Sequence, residues 1–153
     1  MKLLNWYSWM AGSKTDFIRH YHDNTAKYEQ AKKFWDALDE NGSLLFVSIL
    51  FLVGILGAVL YYISFNNTSG RHYTPKYWAY FLLGVFVVTL MVTLGSEWLI
   101  AEPKLNGASL LEWQIAICNA IYATGVYFVF SFIWCNIDLL PTNAYRWLKI
   151  KRK

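Results

Sequence analysis

Three histidines, two cysteines and ten acidic residues are the side chains with which this chain could bind a metal, move a proton or attack a substrate. They do not converge. Asp16 and His20 stand four residues apart, the spacing that puts two ligands on one helix face. No third ligand accompanies them, and zinc sites use three or four protein donors. His22 and His72 also lie outside the long apolar stretches, so an axial histidine for a buried haem is not expected. Cys118 and Cys135 share one apolar block, roughly 25 Å apart on a helix. That is too far for a disulfide, and both read as small packing residues. The chain has no HExxH pair, no glycine-rich phosphate loop and no nucleophile elbow. We expect no enzyme, no cofactor and no metal site.

Proton or ion chemistry needs ionisable groups at depth. Glu97, Glu112 and Asp138 are the acidic residues in or beside the apolar blocks, and each falls near a block end, where water reaches. Milder polarity sits deeper. Thr89, Thr93, Ser96 and Glu97 share one helical stripe, a candidate polar or pore-lining face. Gly54 and Ala58 have small-xxx-small spacing, and Ala116, Asn119, Ala120 and Ala123 share another stripe. Small residues let helix backbones approach, and an asparagine hydrogen-bonds across the seam. These six are the expected helix-packing or interface positions.

The elements that carry these residues are three apolar blocks, 43–65, 77–100 and 110–140. Each exceeds the roughly 20 residues a helix needs to cross a bilayer. Charged residues make up 16% of the chain against about 25% in soluble domains. Trp78 and Trp98 bracket the second block, and Trp113 and Trp134 the third. At 1.5 Å per residue each pair spans about 30 Å, the distance between the two interfaces where aromatic rings collect. The expected fold is an all-α integral membrane protein, a bundle of three transmembrane helices. Residues 1–12 lack the unbroken apolar run of a signal peptide, so the first span is expected to act as an uncleaved insertion signal.

Residues 1–42 read as an amphipathic helical arm. Ser13 and Asp16 fit a capping box, and Asp23-Asn24-Thr25 fits a break followed by a new cap. Phe17, Tyr21, Tyr28, Trp35 and Leu38 recur near helical spacing and form the expected docking face. Asn41-Gly42 reads as a helix stop, with Ser43 capping the first span. Residues 1–12, with Leu4, Trp6, Tyr7 and Trp9, read as a short interfacial anchor. Residues 141–153 form a basic tail with a short helix around Tyr145 and Trp147. Near the membrane, Lys27, Lys32, Lys33 and Lys104 oppose Arg71, Lys76, Arg146, Lys149, Lys151, Arg152 and Lys153, which favours a cytoplasmic C-terminus. A bacterial inner membrane is the expected location, with a eukaryotic organelle membrane as the alternative.

No motif points to a known family. The net charge of +4 comes mostly from the tail and does not suggest nucleic-acid binding. The expected partners are membrane lipid and other membrane-protein subunits, of the same or another chain. The expected function is a non-enzymatic subunit of a membrane assembly, a scaffold or anchor. One alternative is an oligomeric channel with Glu97 ringing a cation pore. Another is a small membrane immunity or exclusion protein.

Overall fold

A computed structural model describes residues 3–66, 75–137 and 148–150, and all regular structure among them is helical. A 3-10 stretch, Leu3–Tyr7, runs into a single helical turn, Ser8–Ala11 (α1). Helix α2 spans Lys14–Arg19 and α3 runs over Thr25–Phe65. Helix α4 spans Pro75–Ile100 and α5 spans Ser109–Asn136. The last three helices are long and apolar enough to cross a membrane. Arg71, His72, Asp138, Tyr145, Arg146, Trp147 and the last three residues lie outside the described part, so the expected tail helix does too.

Local signals set the helix starts. The Ser13 hydroxyl accepts from the Asp16 amide at 3.2 Å, and the Asp16 carboxylate accepts from the Ser13 amide at 3.3 Å, which closes a reciprocal capping box. The Asn24 side chain accepts from the amides of Ala26 and Lys27, both at 3.1 Å, and opens α3.

The expected stop at Asn41-Gly42 does not occur. The helix continues through a widened π-type turn, Leu38–Gly42, and Ser43 has helical dihedrals, φ −57° and ψ −49°. The reason is packing. A Cβ on Gly42 would lie 2.8 Å from the Phe46 ring and 3.0 Å from Ile100 Cδ1, so the glycine permits close approach and does not end the helix. A second widened turn, Leu60–Phe65, closes α3, with the Asn66 amide donating to the Tyr61 carbonyl at 2.9 Å.

Contacts sort the chain into two units: Met1–Ile49 with Leu90–Asn119, and Leu50–Thr89 with Ala120–Lys153. In the first, α2 packs on α3 through rings. Phe17 lies 5.6 Å from Trp35 and 6.2 Å from Phe34, and Lys14 pairs with Asp36. The N-terminal segment, expected as an interfacial anchor, also packs against protein. Trp6 and Trp9 are exposed, but Leu4 and Tyr7 are buried in protein. The Leu4 amide also donates to Asp39 at 3.4 Å.

The second unit is built on close helix approach and aromatic rings. A Cβ on Gly54 would lie 2.8 Å from the Ala123 carbonyl oxygen, and one on Gly57 would lie 2.3 Å from Val85 Cγ2. Only glycine allows α3 so near α5 and α4 at these points. Tyr62 stacks on Trp134 at 5.8 Å, and Trp78 donates its indole N–H to Ser131 at 3.0 Å while its ring meets Tyr127. Of the four tryptophans that bracket the second and third blocks, Trp98 and Trp113 are exposed, while Trp78 and Trp134 are buried.

Candidate functional site

The polar residues of the first unit converge on Asn119, which is fully buried on α5. Its amide carbonyl accepts from the Tyr7 hydroxyl at 3.0 Å. Its amide nitrogen donates to Thr93 Oγ1 at 2.8 Å and to the Phe46 carbonyl at 3.2 Å. One side chain thus ties the N-terminal segment, α3 and α4 to α5. Tyr7 is held further by an edge contact with the Phe46 ring, centroids 6.3 Å apart. A buried asparagine is stable only when its donors and acceptor are matched, and here both ends are.

One helical turn beyond Thr93 on the same face of α4 lies Glu97. The sequence puts it near a block end, within reach of water. The structure instead gives it 0% exposure, and neither carboxylate oxygen has a hydrogen-bond partner. Glu112 on α5, half-buried, is close enough for its charge to act on Glu97. The burial follows from the stripe itself: Thr89, Thr93 and Glu97 recur every four residues, and α4 turns that stripe inward. Ser96 lies off it, half-buried, donating to the Thr93 carbonyl at 2.7 Å. In the second unit the Thr89 hydroxyl is buried without a partner.

The remaining sequence candidates fall as follows. Ala116 and Asn119 are buried in the first unit, and Ala58, Ala120 and Ala123 in the second, where Gly54 meets Ala123. On the arm, Trp35 and Leu38 are buried, Phe17 and Tyr21 are half-buried, and Tyr28 is exposed. Most of that face is spent on the contact between α2 and α3. Neither the reach of Tyr7 nor the closure of Glu97 is visible in helical spacing, because both depend on residues more than a hundred positions apart or on another helix.

Asp16 and His20 border a cavity of about 310 Å³ with Phe17, Tyr21, Leu111 and Gln114. They are committed locally. Asp16 serves the capping box, and His20 Nδ1 bonds the Asp16 carbonyl oxygen at 2.8 Å. The hydrogen bonds from Ser13 hold the Asp16 carboxyl below its ordinary 3.8, and burial pushes the Tyr21 hydroxyl up. Among the described residues no three histidine, cysteine or acidic side chains cluster as metal ligands, and both cysteines are free and buried. The chain matches no protein-family model, no curated protein and no solved structure.

Proposed function

We propose that the chain is an integral membrane protein and a non-enzymatic subunit of a larger membrane assembly, acting as a scaffold or anchor. The observation that carries this reading is the distribution of apolar surface. Large apolar side chains stand exposed along all three long helices, among them Leu52 and Leu56 on α3, Leu83 and Met91 on α4, and Leu110 and Val129 on α5. Water penalises such a surface, whereas lipid or a neighbouring helix covers it at no cost. Polar side chains point the other way, with Thr93, Glu97 and Asn119 inside.

An apolar groove of about 500 Å³ runs between α3 and α4, with Leu56, Leu60, Tyr80 and Val88 on its walls and Gly57 and Gly84 in its floor. Small residues beneath a groove favour helix association in lipid, where packing drives contact. We assign this groove to a helix of a neighbouring subunit, from a second copy or from a different chain. Native mass spectrometry in nanodiscs tests the reading. The expected result is a discrete species heavier than one chain. Gly84→Leu is the matching variant, because a Cβ there meets nothing within 4 Å of its own chain. It should fill the groove, leave the fold intact and disperse the assembly. A wild-type chain that is a clean monomer would overturn the proposal.

A further inference from the structure

A carboxyl group closed off from solvent needs a donor, a cation or a proton. Among the described residues Glu97 has neither of the first two. Both of its oxygens lack hydrogen-bond partners at 0% exposure, and the charge acting on it, Glu112, has the same sign. One turn along α4, Thr93 accepts from Asn119, which also holds the Tyr7 hydroxyl and the Phe46 carbonyl. Ionisable groups inside apolar helices are costly and mark function by default.

We propose that Glu97 is a proton-binding site sealed inside the helices. A proton needs no added space, and among the described residues no three acidic, histidine or cysteine side chains gather to hold a larger cation. In loading, an O–H bond of a hydronium ion breaks as that of Glu97 forms, leaving a water molecule and a neutral carboxyl. Thr93, one turn along α4 and about 6 Å away between Cβ atoms, ties the site to the Asn119 network and so to the seating of the N-terminal segment. This inference does not depend on whether the chain assembles.

The test treats the purified full chain in nanodiscs with dicyclohexylcarbodiimide, an apolar reagent that adds whole to protonated carboxyl groups. Peptide mapping should find one adduct on Glu97, and a water-soluble carbodiimide should leave Glu97 unlabelled. The adduct should be lost in Glu97→Gln. Infrared spectra should contain a protonated-acid carbonyl band that Glu97→Gln removes. A Glu97 labelled by the water-soluble reagent, or inert to the apolar one, overturns the site. Mapping of the wild-type chain decides the question even if the variant fails to fold.

Discussion

Replacing Asn119 by leucine keeps the branched shape of the side chain and removes every hydrogen bond that Asn119 makes. The Tyr7 hydroxyl and Thr93 Oγ1, at 3.0 and 2.8 Å, lose their partner. The Phe46 carbonyl, 3.2 Å away, loses one too, but it sits inside a helix and keeps a backbone donor. Hydrogen bonds between helices in lipid average about 0.6 kcal/mol and reach about 1.7. Orphaned buried groups in a water-folded protein cost about 1–3 kcal/mol each. Two lost bonds and one weakened carbonyl therefore set the loss at about 2–3 kcal/mol, roughly 30-fold or more in the folded-to-unfolded ratio. Equilibrium unfolding in mixed micelles measures it. Tyr7→Phe should cost about 1 kcal/mol, and the double variant should cost less than the sum, with a coupling of about 0.5–1.5 kcal/mol. Amide exchange in residues 3–11 should rise in both single variants. An Asn119→Leu chain within about 0.5 kcal/mol of wild type, or zero coupling to Tyr7, would refute the idea that this network seats the N-terminal segment.

Gly54→Leu forces a side chain against the Ala123 carbonyl oxygen and Val126, whose Cγ1 lies 2.9 Å from a Cβ there, and should destabilise by at least about 1–3 kcal/mol in the same unfolding assay. Gly42→Ala should destabilise less, because the first atom met at 2.8 Å belongs to the Phe46 ring and not to backbone. Ser13→Ala should speed amide exchange in residues 14–19 by about fivefold, the size of a lost N-cap. The pH dependence of α2 has a definite sign: the folded Asp16 carboxyl lies below its ordinary value, so its contribution is present above about pH 4 and fades as pH falls through the folded value. Protection factors of the α2 amides should therefore fall on acidification in the wild type and change less in Ser13→Ala. Lys14→Met should change stability by under about 1 kcal/mol, since both partners of its pair with Asp36 are more than a third exposed.

How far the sequence reaches depends on whether a feature is local. The capping box at Ser13 and the break at Asn24 need only neighbouring residues, and both form as the spacing predicts. The three long helices follow from run length alone. Asn41-Gly42 misleads because glycine has two uses, and only the approach of Phe46 and Ile100 reveals which one applies. Tyr7 reads as an interfacial ring in a row of aromatics, and its partner is 112 residues away. The stripe of Thr89, Thr93 and Glu97 is legible as a stripe, but the direction it faces is set by α5. Trp78 and Trp134 have bilayer spacing in sequence and still pack inside, since indole rings serve buried contacts as well as interfaces.

The direction of that stripe bears on the choice between a scaffold and a pore. A pore shared between subunits needs polar side chains on the outer face of the chain, where a second copy can complete the ring. In the first unit Thr93 accepts from Asn119 within the same chain, and Glu97 has no exposed surface to offer a neighbour. What the outside offers instead is leucine, valine, methionine and aromatic surface, with a glycine-floored groove between α3 and α4. Ion conduction along Thr93 and Glu97 would require α4 to rotate that face outward, which would break the bond from Asn119 to Thr93. The same bond therefore opposes the pore, and Asn119→Leu is the variant in which that resistance should weaken.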